Sequence, residues 1–210
     1  MCNLYTVRRS VDEVARHFGV TPPASLPNVL AESYPGTPGL VVREQNGQRM
    51  LQSMGWDFPL KLKFMKPGSK PKAVNNIAEL NKWPWKEFGV KPQARCLIPV
   101  THFAEAEGPK GSMTRTWVNI KDQPIIAWGG LWRDSAEWGP VYSGAMTDAN
   151  AAMSPLHNRM PVFLFPTEWD TWLRGSFDDL LAFQARKFPD ELIEMERTPE
   201  LWVKKKKASA

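Results

Sequence analysis

Residues 39–56 read GLVVREQNGQRMLQSMGW, with β-forming side chains on both sides of Asn46-Gly47. That dipeptide tolerates the positive φ angles of a two-residue turn, so the stretch reads as an antiparallel hairpin. Working outward, further strands are expected at RCLIPV (95–100), HFAEAE (102–107), TRTWVNI (114–120), PIIAWGGLW (124–132) and VYSGAM (141–146), each bounded by glycine, proline or polar residues. Upstream, Ser10 followed by Glu13 fits a capping box, and Val11, Val14, Ala15 and Phe18 recur at helical spacing until Gly19 closes the segment. Helices are also expected near 83–88, 167–174 and 176–186, with Thr167 and Ser176 as caps. The short strands and 19 prolines disfavour repeated βαβ units and favour a mixed α+β domain with a strongly bent sheet or barrel.

The chain has 210 residues, 42% hydrophobic and 23% charged, which is a globular composition with enough length for one well-buried core. No run approaches the roughly 18 apolar residues of a membrane span, and Arg8, Arg9, Asp12 and Glu13 fall where a signal peptide needs its apolar stretch. The expected location is therefore cytoplasmic, without membrane contact. Two cysteines, Cys2 and Cys96, make no disulfide framework, and with His17, His102 and His157 they show no zinc spacing. Neither a metal nor a cofactor is expected.

The formal charge of +5 suits an anionic partner only if it is concentrated somewhere. Between Asp57 and Glu79 there is no acidic residue, while Lys61, Lys63, Lys66, Lys70 and Lys72 fall in that interval. This stretch reads either as a phosphate-facing surface or as a solvated loop. The terminal KKKKASA reads as a frayed tail. Ten tryptophans are available as base-stacking platforms, although burial in a core is their commonest use.

Three further residues bear on chemistry. A cysteine directly behind the initiator methionine, once Met1 is trimmed, would carry a free α-amine and a thiol on one residue; otherwise it is a small buried residue at the start of a strand. At model values the amine titrates at about 7.7–8.0 and the thiol at about 8.5, so the amine is the first nucleophile near neutrality. With an aldehyde it gives a Schiff base, onto which the neighbouring thiol closes a five-membered thiazolidine. Glu105 is a candidate proton shuttle, but Glu107 shares its strand face and alternation does not separate them. His157 reads as either an acid–base group or a structural hydrogen-bonder.

MC at the start, the N-x-x-x-E of Asn75 to Glu79, RCLIPVTHFAEAEG (95–108), PIIAWGGLW and MTDANAAMSPLHNRMPVFLF (146–165) occur in one order at compatible distances. Together they resemble the SRAP family, the SOS-response-associated peptidases, over roughly residues 2–175, with HNRMPV (157–162) as the most specific element. The resemblance implies a single α+β domain over 1–203 with a barrel-like, mostly antiparallel sheet and peripheral helices, followed by a lysine-rich disordered tail at 204–210. It implies a sensor of abasic sites in single-stranded DNA, in which the N-terminal cysteine traps the ring-opened sugar as a thiazolidine crosslink. Carried over by motif, the catalytic cysteine is Cys2, the sugar-holding asparagine Asn75, the acid–base glutamate Glu105 and the motif histidine His157. Thr147 and Arg159, in the same motif stretch, join Lys66, Lys70 and Lys72 as expected DNA contacts. A thiol autopeptidase built on Cys2, and a non-catalytic binding domain, are the alternative functions.

The match breaks at defined places. The usual Cys-Gly-Arg start is Cys2-Asn3-Leu4 here, Ile77 stands where N-A-R-x-E has arginine, and Ala104 and Ala106 replace two aromatics of G-F-Y-E-W. Losing arginine removes a charge-assisted, often bidentate phosphate contact. The covalent core is kept and the shell that grips DNA is rewritten, so either the 61–72 lysines take over the phosphates or the ligand is another aldehyde or a peptide. If Ile77 is buried, an arginine introduced there is expected to destabilise the fold rather than restore a contact.

Overall fold

The computed structural model describes residues 2–23, 25, 31–61, 64–66 and 68–202. Met1, Lys63 and the 204–210 tail lie outside the described residues. Strand β1 (Tyr5–Thr6) leads into helix α1 (Val11–Phe18) and strand β2 (Glu32–Ser33). Ser10 accepts from the Glu13 amide while the Glu13 carboxylate accepts from Ser10, so the capping box forms, and Gly19 ends the helix at φ 65°. The hairpin follows as β3 (Pro38–Gln45) and β4 (Gln48–Trp56), turning on Asn46 at φ 52° and Gly47 at φ 76°.

Next come β5 (Phe58–Leu60), β6 (Lys72–Val74), β7 (Asn76–Ile77) and helix α2 (Trp85–Gly89). The long strands are β8 (Arg95–Val100), β9 (His102–Glu107), β10 (Thr114–Ile120), β11 (Ile126–Ser135) and β12 (Gly139–Asp148). Short strands β13 (Arg159–Pro161) and β14 (Phe163–Leu164), helices α3 (Trp169–Arg174) and α4 (Phe177–Ala185), and strand β15 (Ile193–Leu201) complete the chain.

Five of these strands close into a barrel. β4 pairs with β3, β3 with β8, β8 with β11 and β11 with β12, all antiparallel, and β12 returns to β4 through the parallel pairs Val141↔Gly55 and Tyr142↔Trp56. Beyond the Gly130↔Gly144 pair, β11 and β12 part, and the chain from Arg159 to Leu164 enters between them, β13 on β12 and β14 on β11. Trp128 fills the space at the parting: a Cβ at Gly144 would lie 2.0 Å from its ring, so only glycine fits there. The expected mostly antiparallel, strongly curled sheet is what forms.

The second sheet is antiparallel, in the order β15-β10-β9-β1-β2. Thr101 alone separates β8 from β9, so one continuous stretch leaves the barrel wall and becomes the middle of this sheet. Trp56, Trp128 and Tyr142 are fully buried in the core cluster that also holds Cys2. Of the ten tryptophans, Trp56, Trp85, Trp117, Trp128, Trp169 and Trp172 are buried, which is the ordinary use of such rings.

Helix positions match expectation to within two residues, but one cap does not. Thr167 sits inside a 3-10 turn, Pro166–Glu168, and α3 starts without a side-chain cap. Ser176 does cap α4, with Asp179 completing the box. No helix among the described residues is long and apolar enough to cross a membrane.

Candidate active site

The amino end of the chain is laid against β9. Tyr5 pairs with Phe103 and Thr6 with His102, and the Ala104 amide donates to the Leu4 carbonyl at 2.9 Å. Extending this antiparallel register places Glu105 across from Asn3 and beside Cys2. Cys2 is fully buried, its Sγ donating to the Leu4 carbonyl at 3.6 Å. Burial pushes its thiol pKa far up, and the charge of Glu105 adds to the shift.

A second segment clamps the same residue. β7 lies parallel to β12 through Gly144↔Asn76 and Ala145↔Ile77. The carbonyl of Asn75 accepts from Trp56 Nε1 at 2.9 Å and from the Gly144 amide at 3.2 Å, which fixes its backbone to the barrel. From that base Asn76 Nδ2 donates to the Cys2 carbonyl at 2.7 Å, and Asn75 Nδ2 to the same oxygen at 3.4 Å and to Asn3 Oδ1 at 3.0 Å. Sequence reading singled out Asn75 alone; the NN dipeptide gave no sign that its second member makes the shorter bond.

Glu105 and Glu107, indistinguishable by alternation, occupy opposite electrostatic settings. Glu105 is 5% exposed, its Oε1 is buried without a hydrogen-bond partner among the described residues, and burial raises its pKa to about 7. Glu107 accepts from the Thr116 hydroxyl and from Arg197 Nε at 3.0 Å, and these bonds hold its carboxyl below the ordinary range. Arg197 comes from β15, 90 residues away in the chain. Glu105 is the carboxyl free to move a proton near neutral pH.

His157 follows a turn tied down by Asn150, which donates to the Phe188 carbonyl at 2.9 Å and accepts from the Met153 amide at 2.9 Å. Its Nδ1 lies within hydrogen-bond distance of both the Arg159 amide, at 2.9 Å, and the Arg159 carbonyl, at 3.1 Å, so the ring is tied to the backbone of its own motif. Burial keeps its pKa below the usual histidine value. Arg159 donates to the Ala78 carbonyl at 2.7 Å and pairs with Asp148 at 2.6 Å, which brings the motif strand alongside the 75–78 segment.

The expected DNA contacts divide. Lys66, Lys70 and Lys72 are exposed, and none of them has an ion-pair partner among the described residues, whereas Lys61 pairs with Glu137 at 3.0 Å. Thr147 is 4% exposed and spends its hydroxyl on the Gln184 carbonyl at 2.6 Å, inside the fold. Ile77 is fully buried in the core, and Leu4 is buried against Ala104 and Trp117. The two positions where arginine was looked for are thus interior. Among the described residues no group of three or more His, Cys, Asp or Glu is placed to hold a metal ion.

The profile of the family described as SOS response associated peptidase (SRAP) matches residues 1–200. No curated protein matches the chain. Among solved structures, a protein from Bordetella bronchiseptica is 20% identical with a TM-score of 0.76, covering 94% of this chain and 99% of its own. A protein from Bacteroides thetaiotaomicron is 18% identical with a TM-score of 0.75 over 93% of this chain and 91% of its own. A phage-related protein from Bordetella bronchiseptica is 20% identical with a TM-score of 0.69 over 94% of both chains. At these identities the structures speak to the fold, while the profile match, which spans nearly the whole length, speaks to descent. The chain belongs to the SRAP family, the SOS response associated peptidases.

Proposed function

We propose that this protein captures the aldehyde of an abasic site in single-stranded DNA, using Cys2 as the processed N-terminal residue, as part of an SOS-associated response. The observation that carries the reading is Glu105: a buried carboxyl with a near-neutral pKa and an unpartnered oxygen, set beside a residue bearing both a thiol and, after loss of Met1, an amine.

In this scheme the free amine adds to the sugar aldehyde to give a carbinolamine. Glu105, protonated at the outset, donates its proton to the departing hydroxyl; as water leaves, the proton on nitrogen returns to the Glu105 carboxylate and the neutral imine forms. The burial that keeps the Cys2 thiol protonated makes it a poor first nucleophile, so the amine leads. The thiol sulfur then adds to the imine carbon and its proton passes to nitrogen, closing a thiazolidine with one water lost overall. Asn75 and Asn76 hold the Cys2 carbonyl so that amine and thiol stay in place, and His157 is the motif imidazole that would assist at the sugar.

Incubation of the purified, Met-trimmed protein with abasic and intact single strands, followed by denaturing electrophoresis, tests the reading. A heat-stable adduct with the abasic strand alone is expected. No adduct with either strand, together with self-catalysed release of Met1 from untrimmed protein in a separate incubation, would move the assignment to a thiol autopeptidase.

A further inference from the structure

A groove of about 370 Å³ opens next to Asn75, between β6 and the turn that leads into α2. Trp85 lines it and is buried in edge contact with Phe58, which fixes that wall. Trp83 also lines the groove and is 54% exposed, the most exposed of the tryptophans. Lys72 lies on the β6 side, exposed and without an ion-pair partner among the described residues. Glu79, the acidic residue of the lining, is already paired with Lys82 at 2.5 Å. Among the described residues, Lys72 is therefore left as an unpaired cation of the groove and Trp83 as its exposed indole face. It is continuous with the Cys2 clamp, because Asn75 and Asn76 belong to both. Lys72 is three residues of extended chain from Asn75, roughly 10 Å.

We propose that this groove holds the nucleotide adjacent to the lesion, its base stacked on Trp83 and its phosphate against Lys72, and that this contact positions the abasic sugar over Cys2. The inference rests on the reading of Cys2 as an aldehyde trap in single-stranded DNA. Stacking suits such a task, since every base offers a π face and a lesion sensor cannot choose its neighbours. It also supplies grip without charge, in a chain whose Leu4 and Ile77 are interior and unable to meet phosphate. Trp83 acts here as a positioning residue; it does not touch the reacting atoms.

The test compares wild type, Trp83→Ala and Trp83→Phe, all trimmed of Met1. The first readout is binding of an intact labelled single strand by anisotropy. The second is single-turnover adduct formation with an abasic oligonucleotide and with 2-deoxyribose 5-phosphate, which has the aldehyde but no neighbouring base. Trp83→Ala is expected to bind the intact strand about 5- to 100-fold more weakly, the range that loss of one base–aromatic stack produces. It should crosslink the oligonucleotide correspondingly more slowly at low concentration, react with the free sugar phosphate at the wild-type rate, and be largely rescued by phenylalanine. Equal strand binding by wild type and Trp83→Ala overturns the groove assignment even if both form adducts. Absence of any adduct in wild type sinks the aldehyde-trap reading instead, and in that case a Trp83-dependent loss of strand binding would still support the groove as a single-strand site.

Discussion

Asn76 Nδ2 donates to the Cys2 carbonyl at 2.7 Å, joining the start of the chain to a two-residue strand that lies on the barrel wall. Both partners are buried, so this bond fixes where the amine and thiol of Cys2 stand. Asn76→Ala would leave a buried carbonyl with only the longer bond from Asn75. A loss of about 1–3 kcal/mol in urea unfolding is expected, with slower adduct formation in the folded protein. Wild-type stability and rate in Asn76→Ala would show that Cys2 is held by other means.

Burial raises the Glu105 pKa to about 7 in the fold, against an ordinary carboxyl value of 4.5. Between these values the folded state binds more protons than the unfolded one, so stability falls as pH rises through the window and the cost is complete above about 7. Glu105→Gln cannot ionise. It should match wild type near pH 4 and be more stable by about 1–3 kcal/mol at pH 8, as read by thermal melting across pH. Equal pH dependence of the two proteins would contradict the burial argument.

The same substitution removes the proton donor of the proposed dehydration. Single-turnover crosslinking by Glu105→Gln should slow by roughly 10²-fold. Wild type should show a bell-shaped pH–rate profile, one limb from the amine and one from Glu105; the variant should lose the descending limb and plateau at high pH. Glu107→Gln, which breaks only the contacts to Thr116 and Arg197, should leave the profile unchanged in shape.

Much of this architecture was legible locally. The Asn46-Gly47 turn, the Ser10 and Ser176 caps and the boundaries of β8, β9 and β10 follow from side chains within a few residues of each other. What escaped reading depends on distant partners. The parallel closure of β12 on β4 has no local signature, and β15, with its alternating charges, reads as a strand only once β10 offers an edge. Alternation could not separate Glu105 from Glu107 for the same reason: burial raises Glu105, while Glu107 is held low first by Thr116 of β10 and then by Arg197 of β15. Cys2, Asn75 and Glu105 were nominated by motif and the fold does bring them together, whereas Thr147 was nominated and lies inside. Asn76 went unnoticed, and Trp83 was offered only as one of ten tryptophans, because nothing in NN or in WPW distinguishes the exposed residue from the buried one.

Ile77 is fully buried, so placing the family's arginine there introduces an unpaired charge into the core. Ile77→Arg is expected to cost at least about 3 kcal/mol of stability and to gain no DNA affinity. A well-folded Ile77→Arg protein with tighter strand binding would show that this position reaches the surface.

Lys66, Lys70 and Lys72 are exposed. Each phosphate they neutralise contributes about −0.7 to the slope of log affinity against log salt. Replacing all three with glutamine should flatten the slope by about 2 if each meets a phosphate. Identical slopes in two folded proteins would remove the lysine stretch from the binding surface.

The central claim is that Cys2 forms the crosslink through both its amine and its thiol. Intact-mass measurement of wild type and Cys2→Ala, each trimmed of Met1 and incubated with an abasic single strand without reductant, tests it most directly. The account predicts that wild type gains the mass of the strand less one water, and that Cys2→Ala, able to form only a hydrolysable imine, gains nothing that survives denaturation. A stable adduct of the same mass gain in Cys2→Ala would contradict it.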